Sequence, residues 1–353
     1  MTAADTAPIR PEERFDEAAL ATYLRRVLPD LVGEADIAFD QFPGGAANLT
    51  YRAVAGAVEL VIRRAPLGPV AASGHDMARE HRVLSRLWRA YPLAPRAYHL
   101  CEDETVIGKP FVVIERRHGW VIRDAWPPGY QDPALRRRLA GNLVGALATL
   151  HRIPPEAVGL SELGRPDGFV ARQIEGWARR WDAAATREVP AMARATELLH
   201  ATIPTPQTVA ILHNDFKPDN TMVSGDGEIV AVIDWDMATL GDPLVDLGTL
   251  LAYWVDPDGP TFPIFGERAV TLAPAMARSE VLAAYGDATG FDLSGIRFYE
   301  GLALYRIAVI IEQIYGRYVA GQTTDARFAR FEPLAPILAA AAVDTLASPG
   351  ERS

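Results

Sequence analysis

The hydrophobic period of this chain changes once, near residue 117, and that change limits the folds open to it. Before it, five short segments alternate or run apolar: "DIAFDQF" (36–42), "LTYRAVA" (49–55), "VELVIRR" (58–64), "RAYHLCED" (96–103) and "PFVVIERR" (110–117). They read as strands joined by tight turns such as "PGGAAN" (43–48). One amphipathic helix, "HDMAREHRVLSRLWRAY" (75–91), lies among them, and "FDEAALATYLRRVLPDL" (15–31) has helical spacing ahead of them. After residue 117 the spacing is mostly helical, over 134–153, 169–181, 189–203, 244–255, 277–289, 293–319 and 329–346. A loop and hairpin between 213 and 236 interrupt that run. The expected fold class is therefore α+β. Residues 15–117 form a small antiparallel sheet with one helix packed on it, and residues 118–353 form a mainly α-helical region. Residues 1–14 are expected to be a disordered lead-in.

Composition narrows the partners. The 353 residues carry a formal net charge of −10, which argues against nucleic acid, since phosphate backbones are held by clustered Lys and Arg. The single cysteine, Cys101, excludes an internal disulfide and a multi-cysteine metal site. The first twenty residues lack the apolar core of a signal peptide. The most apolar helical stretch, "GLALYRIAVIIEQIY" (301–315), is too short to span a bilayer and contains Arg306 and Glu312. A cytoplasmic protein with neither a membrane nor a nucleic-acid partner is expected; the oligomeric state is not readable.

Chemistry concentrates in "HNDFKPDN" (213–220), directly after the apolar run "TVAIL". A carboxylate at Asp215 can accept the proton of an attacking hydroxyl. Asn220, five residues on, can offer Mg²⁺ an amide oxygen without adding charge. Lys217 lies between them and is suited to neutralising a phosphoryl group in transit. His213 is placed to brace the loop. Asp215 and Asn220 share the spacing of the protein-kinase catalytic loop. Asp234, at the end of an apolar strand fourteen residues after Asn220, is a second hard oxygen ligand; Asp236 is a supporting group behind it. Upstream, the backbone of Gly44, Gly45, Ala46 and Ala47 forms a turn that can approach phosphate oxygens or serve as a plain hairpin. Arg63 on the third strand and Glu80 on the following helix make either a phosphate-ordering pair or an ordinary ion pair. Asp246 reads as a helix cap or a loop anchor. His151, in "LHRI", reads as a buried, satisfied histidine. Arg306 is a candidate for a substrate contact or a buried ion pair. Tyr299 is a candidate substrate contact on a helix whose tyrosines otherwise read as core.

The stretches "GGAANLTYR", "VIRRAPLG", "HDMAREHRVLSRL", "LCEDETVIGKPFVVIE", "LHRI", "LHNDFKPDN" and "VIDWDMATLGDPLVDLG" resemble the aminoglycoside phosphotransferase and choline-kinase-like superfamily of small-molecule kinases. Within it they are nearer the branch associated with acyl-CoA dehydrogenases. The resemblance implies a protein-kinase-like two-lobed fold, bound ATP or GTP with Mg²⁺, and a small-molecule hydroxyl substrate. It makes Asp215 the catalytic base and Asn220 and Asp234 the metal ligands. Arg63 and Glu80 become the nucleotide-phosphate pair, and Ile114, Glu115 and Arg116 the hinge that meets the base. Asp246 becomes the anchor of the catalytic loop. Two departures stand out. Asn214 and Lys217 replace the usual residues of "HGDFHxGN", and Arg63, with a planar fork, replaces a lysine. Two other functions stay open: a nucleotide-binding module that does not transfer phosphate, and a metal-dependent hydrolase using His213 and Asp215.

Overall fold

The computed structural model describes residues 5–43, 48–66, 76–123, 125–254, 272, 275–323 and 325–348. The chain divides into two compact units. The first comprises Met1–His118 with two later excursions, Val158–Leu163 and Val230–Ala238; the second takes the remainder. The α+β class expected from the periodicity is what the structure has.

In the first unit, α1 (Glu17–Val27) starts at Asp16, whose carboxylate accepts the Ala19 N–H at 2.9 Å. The helix expected over 15–31 stops at Leu28 because Pro29 cannot continue it, and a single turn, α2 (Pro29–Val32), follows. The strands β1 (Ile37–Gln41), β2 (Leu49–Ala55), β3 (Val58–Arg64), β4 (Ala97–Cys101) and β5 (Phe111–Glu115) pair antiparallel in the order β1-β2-β3-β5-β4. β2 and β3 are joined by two residues, and Gly56 takes the positive φ (60°) that the turn requires. Alternate residues of β2 are buried, so Tyr51 and Ala53 reach the core beside Leu20, Leu24, Ile62, Phe111 and Val113. The pairing Thr50↔Arg63↔Val112 fixes Arg63 in the middle of the sheet. Helix α3 (Met77–Leu87) is capped by Asp76 through the Arg79 N–H at 2.8 Å, and a one-turn helix α4 (Glu104–Ile107) precedes β5.

The lead-in departs from expectation, since residues 5–14 are built into this unit. Ala7 and Gln41 exchange two backbone hydrogen bonds of 2.8 Å, and Ile9 is buried. The reason lies with Arg64, which is only 1% exposed. Its guanidinium takes the carbonyl of Glu13 (2.6 Å), the Tyr51 hydroxyl (2.8 Å) and the carbonyl of Ile107. A buried cation without a carboxylate must collect neutral acceptors, and the lead-in supplies one of them.

The second unit contains β6 (Trp120–Val121), which pairs with β8 (Thr221–Val223), and β7 (Ala210–Leu212), which pairs with β10 (Thr239–Gly241); both pairs are antiparallel. Between β8 and β10 the chain visits the first unit, where β9 (Ile229–Val232) donates the Val232 N–H to Leu93 at 2.8 Å. The helices are α5 (Pro133–His151), α6 (Phe169–Ala184), α7 (Pro190–Ala201), α8 (Leu244–Tyr253), α9 (Arg278–Thr289), α10 (Ile296–Val319) and α11 (Leu334–Ala347). α8 meets α10 at Gly248, where a Cβ would fall 2.5 Å from the Tyr299 carbonyl carbon. Only glycine permits that approach. Among the described residues, no helix is long and apolar enough to cross a membrane.

Candidate active site

In the second unit, β7 delivers the chain into the loop 213–220, and a 3₁₀ turn, Pro218–Asn220, leads it into β8. The loop turns at Asn214, which holds φ = 65°. Asparagine tolerates this left-handed conformation better than most residues, and so can stand where the resembling family has glycine. Two buried charges grip the bend. Asp246, on the first turn of α8, accepts the His213 N–H and the Asn214 N–H, each at 2.7 Å. Arg306 on α10 donates Nη2 to the Asn214 carbonyl at 2.9 Å. Behind Asp246, His151 Nε2 lies 3.3 Å from Oδ2, and His151 Nδ1 lies 2.6 Å from the Tyr285 hydroxyl. Four helices thus bear on one residue of the loop.

Asp215 follows the bend. Asn220 Nδ2 donates to its carbonyl and to Oδ2, both at 2.8 Å, and Lys217 Nζ lies 2.8 Å from the same Oδ2. Because Nδ2 is committed to Asp215, the Asn220 carbonyl oxygen is the atom left to accept a hard cation. Lys217 sits 5.3 Å from the centre of the Tyr253 ring. Burial opposes its charge, but Tyr253, Asp215 and Asp219 hold its ammonium above the ordinary range. Burial pushes the Asp219 carboxyl up.

The first unit holds a different arrangement. Arg63 Nη1 is 2.8 Å from Glu80 Oε1, and Arg63 Nη2 is 2.5 Å from Asp234 Oδ1. Asp236 Oδ2 accepts from Asn48 Nδ2 at 3.2 Å. Asp234 has φ = 71°, the other non-glycine residue with positive φ beside Asn214 among the described residues. Glu80 is fully buried, and its pKa is pushed up to about 7. Burial is the main cause; Arg63 opposes it, and the carboxylates of Asp234 and Asp236 add to it. Two carboxylates, Glu80 and Asp234, therefore share one guanidinium, with the charge of Asp236 near enough to act on both. Asp234 brings a carboxylate oxygen and Asn220 an amide oxygen, the donor types that a hard cation such as Mg²⁺ takes. Among the described residues no group of three or more His, Cys, Asp or Glu is placed to hold a metal.

Of the residues singled out from the sequence, Arg63, Glu80, Asp234 and Asp236 come together in the first unit, and His213, Asp215, Lys217, Asn220 and Asp246 in the second. Gly44, Gly45, Ala46 and Ala47 lie outside the described residues. Ile114 and Glu115 are strand residues, and the Glu115 N–H is already donated to the Arg96 carbonyl at 2.8 Å. Arg116 begins the connection beyond β5, with its guanidinium 4.8 Å from the Phe42 ring centre. Tyr299 is not placed for a substrate: it is 2% exposed, and its hydroxyl donates to Asp242 at 2.7 Å. Arg306 is buried without a carboxylate in ion-pair range among the described residues. Sequence reasoning missed Tyr285, Tyr253, Asp242 and Asn48. Asp242, in "LGDPL", had a signal as the polar residue ahead of α8; the others had none.

A sequence profile of the phosphotransferase enzyme family matches residues 39–299. Over 326 residues the chain is 30% identical to acyl-CoA dehydrogenase family member 10 of Mus musculus, covering 91% of this chain and 30% of that protein. Over 327 residues it is 28% identical to acyl-CoA dehydrogenase family member 11 of Homo sapiens, covering 91% and 42%. It thus spans well under half the length of these relatives. Among solved structures, a candidate aminoglycoside phosphotransferase from Ralstonia eutropha superposes with a TM-score of 0.78 at 28% identity, covering 94% of this chain and 98% of that one. A thermostable mutant of aminoglycoside phosphotransferase APH(4)-Ia, solved with AMP-PNP and hygromycin B, superposes with a TM-score of 0.59 at 16% identity, over 94% of this chain and 100% of that one, and shares the protein-kinase-like fold. With the profile spanning most of its length and with relatives of this kind, the chain belongs to the phosphotransferase enzyme family.

Proposed function

We propose that the protein is a small-molecule kinase that transfers the γ-phosphoryl group of ATP or GTP to a substrate hydroxyl. The observation that carries this reading is the loop 213–220, in which a carboxylate is held by Asn220 and Lys217 while its backbone is fixed by buried Asp246. That density of fixed polar groups suits a reaction run by positioning and charge neutralisation. Asp215 accepts the proton of the acceptor hydroxyl as its oxygen bonds to the γ-phosphorus. The bond from phosphorus to the β-phosphate oxygen breaks, and the nucleoside diphosphate leaves. Lys217 offsets charge on the group in transit. Arg63, ordered by Glu80, holds the nucleotide phosphates. Asn220 and Asp234 are the proposed magnesium ligands; when bound, the ion neutralises phosphate charge. Asp236 and His213 support these groups. The reading places the protein in the cytoplasm, where nucleoside triphosphates are available, and invokes neither nucleic acid nor membrane.

The test is a phosphorylation screen. The protein, Mg²⁺ and ATP or GTP are incubated with hydroxyl compounds that include aminoglycosides, choline-like amines, sugars and hydroxyacyl thioesters, and mass spectrometry reads the gain of one phosphate. Asp215→Asn should lower the rate by about 10²–10⁴ with nucleotide binding retained. Full activity in that variant removes Asp215 as the base.

A second reading, a nucleotide-binding module without transfer, is favoured by one observation: Arg63 stands where the family has lysine and engages Asp234 as well as Glu80. Tight Mg-nucleotide binding, with no acceptor phosphorylated and no slow hydrolysis, selects it.

A further inference from the structure

Arg306 raises a question that the proposed reaction leaves open. It sits 92 residues from Asn214, in the middle of the apolar helix α10, and is 5% exposed. Burial pulls its pKa down from the ordinary arginine value. Keeping a guanidinium there is costly unless it is paired. No carboxylate lies within ion-pair distance among the described residues, and Nη1 has no hydrogen-bond partner there. What it does have is the Asn214 carbonyl on Nη2 and the Trp177 ring, 5.4 Å from centroid to guanidinium carbon. A side chain kept for packing alone would be apolar at this position.

The carbonyl it holds belongs to the peptide bond that joins Asn214 to Asp215. The N–H groups on the other side of the bend, of His213 and Asn214, are held by Asp246. One buried anion on the N–H groups and one buried cation on the carbonyl therefore grip the polar backbone at the same left-handed residue, without an ion pair between them. Each supplies the charge that makes the other tolerable, and the left-handed φ of 65° lies between them.

We propose that Arg306 is a positioning residue: with Asp246 it forms a charge clamp on Asn214 that sets the direction in which Asp215 leaves the bend. It acts on the reaction through the peptide it holds, and its charge is also felt by Asp215 and Asp246. Its kinetic consequence rests on the reading of Asp215 as the base; its conformational content does not.

The experiment compares Arg306→Met, which keeps the length of the stem and removes the cation, with Arg306→Lys, which keeps a charged donor. Hydrogen exchange on the full chain is read at the amides of His213 and Asn214 and along α10. Arg306→Met should speed exchange at the two loop amides by about tenfold or more, the scale of one lost charged hydrogen bond. Arg306→Lys should lie between it and the parent, with α10 unchanged in both. Loop exchange equal to the parent in Arg306→Met overturns the clamp. So does an equal rise throughout α10 and the loop, which makes Arg306 a general packing residue. In parallel, ADP release from Mg-ATP should show kcat reduced at least tenfold in Arg306→Met, partly restored in Arg306→Lys, with KM for ATP unchanged. A raised KM at constant kcat overturns the proposal. If the parent turns over no nucleotide with any acceptor, the kinase reading fails alone, and the exchange result still decides the clamp.

Discussion

Two clusters of buried charge, one in each unit, are answered in opposite ways. In the first, side-chain charges answer one another: Arg63 reaches both Glu80 and Asp234, with Asp236 close enough to be felt. In the second, buried charges answer the backbone, with Asp246 on two N–H groups and Arg306 on a carbonyl. The first arrangement is adjustable, because a proton or a cation can replace a partner. The second is geometric, because a peptide group cannot be titrated. On the proposed function, the first cluster would serve the nucleotide phosphates and the second would hold the base.

Four changes would break or sharpen that contrast. The largest effect is expected for Asp246→Ala, which leaves two buried N–H groups without an acceptor. At about 1–3 kcal/mol each, the loss should be about 4 kcal/mol in chemical denaturation. Next is Arg63→Met, which strands Glu80. Glu80 can take up a proton, so the loss should be smaller, about 2–3 kcal/mol, and Arg63→Met combined with Glu80→Gln should recover most of it. A double variant no better than the single one would place the cost in packing rather than in charge. The third is a pH effect. Glu80 has a folded pKa of about 7 against an ordinary value of 4.5, so the folded state binds more protons between those limits. Stability should therefore fall as pH rises from about 4.5 to 7 in metal-free buffer, and Glu80→Gln should flatten that slope in melts across the range. A slope unchanged in the variant assigns it to other groups. The smallest is Asn214→Gly. Glycine adopts φ = 65° freely, so stability should change by only a few tenths of a kcal/mol, whereas Asn214→Val should lose about 1–2 kcal/mol in the same denaturation series.

Much of this was legible in the chain. Alternation in "LTYRAVA" predicts β2 and the buried Tyr51, and the two-residue connection at Gly56 predicts the hairpin. The 3.6 spacing predicts α5 to α11 to within a few residues. What failed did so for physical reasons. Strands of two or three residues, such as β6, β7 and β10, are too short to display a period. Residues 5–14 carry no apolar period yet are built into the first unit, where Arg64 takes the carbonyl of Glu13, 51 residues away. At the site, Asp215 and Asn220 were readable because the loop is local in sequence. The roles of Tyr285 and Arg306 were not, since Arg306 reaches the loop from a helix 92 residues further on and Tyr285 bears on it through His151 and Asp246, and neither leaves a local pattern.

The return of residues 230–238 to the first unit also bears on how the chain can be made. Asp234, one of Arg63's two carboxylates, leaves the ribosome long after the five-stranded sheet has been synthesised. Until it arrives, that sheet emerges with its guanidinium matched to Glu80 alone. A gene fragment ending at His118 would stay in that unfinished condition permanently, so expressing this unit by itself calls for grafting the later strand, not for trimming the tail.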